Sequence, residues 1–140
     1  MPLAVMPPGC SCASVDQVTF PAHRCLIVDD SPTFQAAARR LLETAGLTVV
    51  GTASTMATAV SSAVEARPDL ILVDIDLAGE SGFDVVEALH RAQAPPPAII
   101  LVSTHDREDF ADMVEASPAI AFLQKCELSA ELILQTLART

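Results

Sequence analysis

An α/β fold built on a doubly wound parallel sheet, with five strands each followed by a helix, is predicted by three features of this sequence. Five short apolar runs recur along the chain: CLIV (25–28), LTVVGTA (47–53), LILV (70–73), AIILV (98–102) and AIAFL (119–123). Most are continuously apolar rather than alternating, as strands covered on both faces are. The intervals between them are long enough for crossover helices and carry apolar residues at helical spacing. Such alternation gives right-handed crossovers and helices on both sides of the sheet.

The elements follow in order. The first strand runs into Asp29-Asp30, and Ser31 with Pro32 then forms a cap and first-position pair for a helix whose Phe34, Ala37, Ala38, Leu41 and Leu42 share a face. Gly46 ends it. The second strand is interrupted by Thr48 and Gly51, which suits a sheet edge. Ala57, Val60 and Val64 mark a second helix stopped before Pro68; Phe83, Val86 and Leu89 mark a third, ended by Pro95-Pro96-Pro97. Asp106 can cap a fourth helix bearing Phe110, Met113 and Val114, and Ser129 a fifth with Ala130, Ile133, Leu134 and Leu137.

Composition narrows the function classes. With 140 residues and 51% hydrophobic content the chain suits one domain with an ample core. Residues 1–22 hold four of the ten prolines and no strand or helix period, so a flexible N-terminal arm is expected there, with the domain over 23–140. A net charge of −10 with only 8 Lys+Arg argues against direct nucleic-acid binding. Partners should be proteins or small ligands. No apolar run approaches the roughly 18 residues of a membrane span, and the start lacks a cationic secretory n-region, so the chain reads as cytoplasmic and without a membrane partner. Cys10, Cys12, Cys25 and Cys126 are too few and scattered for a disulfide framework, and Cys10-Ser11-Cys12 lacks the second ligand pair of a zinc site. Reduced thiols are expected.

In open parallel sheets ligands bind outside the carboxyl ends of the strands. Here the first strand ends in Asp29-Asp30, the third in Asp74, the fourth in Ser103-Thr104, and the fifth runs through Gln124 into Lys125. Carboxylates about 4 Å apart at an effective dielectric near 20 repel by roughly 4 kcal/mol, about three pKa units. They need a cation, or one must hold a proton. Hard oxygen ligands on a wet rim favour Mg2+, which keeps several waters and takes one or two carboxylates plus phosphate oxygens. Lys125 and the Ser103 hydroxyl complete a site for a phosphoryl group, and Asp74 at the tip of the central strand is the best placed nucleophile.

The motifs LIVDDSP, LVDIDLAGESGFDVV, ILVST and FLQK together resemble the receiver domain of two-component response regulators, over about residues 24–138. The likeness is greatest to receivers that precede a helix-turn-helix output domain. It implies a flavodoxin-like fold with strand order 2-1-3-4-5. It also implies that Asp74 is the phosphoacceptor, Asp30 a direct Mg2+ ligand, Asp29 an outer-shell acid and the Asp76 main-chain carbonyl a further ligand. Ser103, Thr104 and Lys125 would take the phosphoryl oxygens, and Phe122 would occupy the aromatic switch position. The implied partners are a sensor histidine kinase or phosphotransfer protein as phosphohistidine donor and a downstream protein target or output domain. The surface of the fourth helix, fifth strand and fifth helix would carry the output and could support a homodimer. Such a protein is no enzyme beyond phosphorylating and dephosphorylating its own aspartate.

Two departures stand out: Ala78 replaces a proline frequent in the family, and Cys126 replaces the proline that commonly follows the lysine, so no cis peptide is expected there. Other readings compete. The chain can be the receiver part of a longer DNA-binding regulator. Asp74-Ile75-Asp76 resembles the nucleophile motif of haloacid-dehalogenase phosphatases, but there the nucleophile strand comes first and the acidic pair last. Multiple turnover on a phosphate ester would favour that class. A phosphate-independent interaction module is the third reading, separated by whether Mg2+ and a phosphodonor modify Asp74. Singly, each polar residue has a plainer role: Asp29 as a turn cap, Ser103 as a strand end, Lys125 as a solvated charge. Their joint placement favours the site. His23, His90 and His105 share no ligand spacing, and Phe34, Phe83 and Phe110 read as core.

Overall fold

A computed structural model describes residues 23–77 and 79–138. The arm over 1–22, with Cys10 and Cys12, and Ala78 lie outside the described residues. The elements are β1 (Arg24–Val28), α1 (Pro32–Thr44), β2 (Thr48–Ala53), α2 (Met56–Ala66), β3 (Leu70–Asp74), α3 (Gly82–Ala92), β4 (Ala98–Ser103), α4 (Ala111–Ala116), β5 (Ala121–Gln124) and α5 (Ala130–Ala138). The five strands pair in parallel in the order β2-β1-β3-β4-β5, which is the flavodoxin-like arrangement. β2 lies at the edge as predicted, and its register against β1 skips Val50, so that Leu26 faces Gly51.

Strand alternation divides the interior in two. Leu26, Val28, Ile71, Val73, Ile99, Leu101 and Phe122 pack on one side with Ala59, Ala63, Val86 and Leu89 from α2 and α3. Cys25, Ile27, Leu70, Leu72, Ile100 and Val102 pack on the other with Ala38, Leu42 and Ile133 from α1 and α5. Every residue of β3 is buried, which explains its continuous apolarity up to Asp74. Burial holds the free Cys25 as a neutral thiol, its pKa pushed up to about 12, with the Asp69 charge adding to the effect.

Two of the three expected helix caps form. Ser31 Oγ accepts from Phe34 N at 3.2 Å with Pro32 opening α1, and Ser129 Oγ accepts from Leu132 N at 3.1 Å. Gly46 follows α1 at φ +90°, a backbone region only glycine enters freely. The cis peptide bond among the described residues is Ala94–Pro95, so Lys125–Cys126 is trans as expected.

Four expectations need correction. α2 buries Ala59 and Ala63, with Val60 partly covered, while Ala57 is exposed and Val64 is 56% exposed. Small side chains let the helix approach the sheet closely, so the branched residues flank the contact instead of making it. The stripes of α1 and α5 are also narrower: Ala37 and Leu134 face outward. The fourth helix is a single 3-10 turn over Arg107–Phe110 followed by six α-helical residues, and Asp106 caps neither by side chain. Finally, β5 starts two residues later than predicted, at Ala121. A two-stranded ribbon, Asp76–Leu77 against Glu80–Ser81, was not foreseen; Gly79 at φ +75° turns its corner.

Candidate functional site

The parallel topology delivers the acids, the hydroxyl and the lysine to one rim, because all five strands end there. Asp29 is fully buried just past β1, its own N–H bonded to Ala53 O at 2.9 Å. Its Oδ1 accepts from Ser31 N at 2.7 Å, and its carbonyl accepts from Gln35 Nε2. The residue that caps α1 thus also anchors the acid. Lys125 Nζ lies 2.7 Å from Asp29 Oδ2, off the hydrogen-bond direction, so this buried oxygen has a counter-charge but no hydrogen bond. The same ammonium is 3.4 Å from Asp74 Oδ2 and 4.3 Å above the centroid of the Phe34 ring.

Asp74, 6% exposed, ends β3 with Oδ1 accepting from Asp76 N at 3.2 Å. Burial pushes its pKa up to about 6 and the Asp29 charge adds to this; the Lys125 charge and the Asp76 N–H pull the other way. Burial alone would lower the Lys125 ammonium, yet the Asp29 and Asp74 carboxylates outweigh it and hold that pKa above its usual value. The arrangement is two crowded acids and one cation, which is short of positive charge by one.

Asp30 is exposed on the lip, and single carboxylate oxygens of Asp29, Asp30 and Asp74 all lie within 4.8 Å of one another. Three hard oxygens in that space, one of them buried without a hydrogen bond, suit a divalent cation that retains waters on its open side. The donor set therefore fits Mg2+. Ser103 is buried at the tip of β4, its Oγ accepting from His105 N at 3.0 Å, which leaves its O–H free to donate toward the rim; Thr104 beside it is exposed. Asp76 is exposed, and His105 Nε2 lies 3.6 Å from its Oδ2. Phe122 is 9% exposed in the core under this rim.

Three contributors were missed from the sequence. Phe34 reads as core from its helical spacing, but its ring also seats the Lys125 ammonium, a cation-π contact that no spacing announces. Glu80 carries no signal in the sequence; its Oε1 accepts from Met56 N at 2.8 Å and ties the loop after Asp74 to the start of α2. Gly82 N donates to Ile75 O at 2.7 Å, and a Cβ there would lie 2.2 Å from Asp74 O. The glycine in the quoted motif was the signal, since such close backbone approach requires that residue.

Comparisons with known proteins agree on one family. The model described as the response regulator receiver domain matches residues 25–137. The chain is 31% identical over 110 residues to the transcriptional regulatory protein LiaR of Bacillus subtilis, covering 78% of this chain and 52% of that one. It is 38% identical over 94 residues to the transcriptional regulatory protein KdpE of Mycobacterium tuberculosis, covering 67% and 39%. The chain spans between 26% and 52% of the length of these and the other first-ranked curated relatives. Among solved structures, a response regulator protein from Burkholderia pseudomallei, crystallised with a phosphorylated aspartic acid, a calcium ion and citrate, is 26% identical with TM-score 0.73, covering 82% of this chain and 66% of that one.

Proposed function

The chain belongs to the response regulator receiver family, and on that premise we propose that it accepts a phosphoryl group from a phosphohistidine onto Asp74. A carboxylate oxygen of Asp74 attacks phosphorus, the N–P bond of the donor breaks, and the imidazole leaves and takes up a proton. The observation that carries this reading is the crowding of Asp29, Asp74 and Lys125 at the tip of a fully buried central strand.

Phosphoryl transfer asks a protein for positioning and charge neutralisation more than for covalent chemistry. Asp29, Asp30, Asp74 and the Asp76 main-chain carbonyl would hold Mg2+, which when bound offsets charge on the phosphoryl oxygens. Lys125 is already drawn toward Asp74 and would move a short way to the new anion. The Ser103 hydroxyl, with Thr104 beside it, would donate to a second phosphoryl oxygen. Each contact is stronger with phosphoryl-Asp74 than without it, so the loop after β4 gains a preferred arrangement. A differential of about 3 kcal/mol would shift a two-state balance more than a hundredfold. Phe122, in the same apolar cluster as Val114 of α4, would report the shift at the surface of α4, β5 and α5.

The donor would be a sensor histidine kinase or a phosphotransfer protein. That the receiver acts beside a DNA-binding output domain is a second reading, supported by the transcriptional regulatory names of LiaR and KdpE and by the partial share of them that the chain spans. The test is labelling with acetyl phosphate and Mg2+, followed by peptide mass mapping. Wild type should gain one phosphoryl group on Asp74, and Asp74→Asn or added chelator should abolish it; unchanged labelling of the variant would refute the assignment.

A further inference from the structure

The inference concerns what the α4–β5 face binds, and it rests on the reading of that face as the reporting surface. A hollow of about 380 Å3 lies there, lined by Asp106, Glu108, Phe122, Gln124 and Glu127. Gln124 Nε2 donates to Asp106 Oδ1 and reaches His105 O at 3.4 Å, so one wall is fixed to the loop that carries Ser103. Phe122 and Gln124 share one face of the edge strand β5, Phe122 packing in the same cluster as Val114 of α4, and Ile120 directly precedes the strand. Ile120 is 39% exposed, and Met113 on α4 is 49% exposed. The hollow thus has one aromatic and three acidic lining residues, while Ile120 before β5 and Met113 on α4 are exposed apolar side chains of the adjoining segments.

Among the side chains the structure describes, the acids of this face outnumber their basic partners. On α1 and α3 the exposed glutamates are paired by their own helices, Glu43 with Arg39 at 3.7 Å and Glu87 with Arg91 at 3.6 Å. From Asp106 to Glu131 the chain has seven acids against Arg107 and Lys125, and Lys125 is engaged by Asp29 and Asp74. Among the described side chains none carries a basic group within ion-pair distance of Glu108, Asp112, Glu115 or Glu127. A twofold pairing of this face would bring the same acidic patch of each copy together, because an isologous interface uses one surface on both partners. Nucleic acid would be repelled for the same reason.

We propose that the α4–β5 hollow is a socket for an arginine or lysine side chain of a protein partner, with flanking apolar residues of that partner seated on Met113 and Ile120. A guanidinium over the Phe122 ring, between Glu108 and Glu127, would satisfy both the π-face and the acids. Since Phe122 forms the floor and Gln124 ties the wall to the Ser103 loop, the socket's shape would follow the state of Asp74.

The test uses the full chain, isotope-labelled, in Mg2+ with and without beryllofluoride. The probe is a helical peptide carrying two arginines beside a leucine stripe, and its twin in which citrulline, uncharged and isosteric, replaces both arginines. Amide shifts should concentrate at Asp106, Phe122, Gln124 and Glu127. Citrulline, or Glu108→Gln with Glu127→Gln, should weaken binding about fivefold or more, while Glu43→Gln on α1 should leave it within about twofold. Equal affinity of the two peptides, shifts spread over α1 and α3, or sedimentation showing a dimer through residues 106–127 would each overturn the socket. A spectrum untouched by beryllofluoride, with the arginine probe still mapping to the hollow, would uphold the socket and sink the phosphoryl reading instead.

Discussion

α3 and α4 flank the same site and are built differently. α3 has 11 residues, a Ser81 side-chain cap and five buried positions, and the strand before it is wholly buried. α4 has six residues after a 3-10 turn, no side-chain cap, and only Val114 buried, and the strand after it buries only Phe122. Elements with few buried apolar contacts open at lower free energy than those that form the core. The half that holds Asp74 is deeply packed and the half that would report on it is thinly packed, so the first is expected to be stiff and the second loose. Placement and response would thus be divided between two helices that pack in one cluster on the same face of the sheet.

That division can be attacked first from the stiff side. Gly82→Ala would force a Cβ to within 2.2 Å of Asp74 O and 2.6 Å of Ile75 Cα. Urea unfolding should show a loss of about 3 kcal/mol and, with it, loss of phosphoryl labelling. A well-folded, labelled variant would mean that the loop is softer than described.

The second test is electrostatic. The Asp74 pKa is raised from 3.8 to about 6 by burial and by Asp29, so the carboxylate prefers to be neutral in the folded chain. Below the unfolded value it is neutral in both states and the cost vanishes. Above about pH 6 it is charged in both, and folding bears the full cost, about 3 kcal/mol at most. In chelator, Asp74→Asn should therefore be more stable than wild type near pH 7, with the difference growing between about pH 4 and 6. A difference flat with pH would show that Lys125 already compensates the charge.

On the loose side effects should be small. Met113→Ala should cost under about 0.5 kcal/mol by thermal unfolding, whereas Val86→Ala on α3 should cost about 1 to 2 kcal/mol. Comparable losses would erase the contrast.

Much of this architecture is legible in the chain because burial on both faces writes strands as uninterrupted apolar runs, and parallel topology must bring their polar ends together. Asp29, Asp74, Ser103 and Lys125 could be placed on one rim for that reason alone. The inward face of α2 could not, since Val60 and Val64 compete with Ala59 and Ala63 and the spacing between helix and sheet decides which side wins. The shortness of α4 hid behind an ordinary helical spacing of Phe110, Met113 and Val114. Phe34 under Lys125 and Gly82 against Asp74 are contacts between residues 91 and 8 positions apart in the chain, made by the fold and not by local pattern.

Amide hydrogen exchange with and without beryllofluoride and Mg2+ tests the central claim most directly. Protection should rise mainly over residues 103–127, with β3 and α3 slow in both states. Equal gains across the sheet, or gains confined to α3, would contradict the division between a fixed site and a mobile reporter.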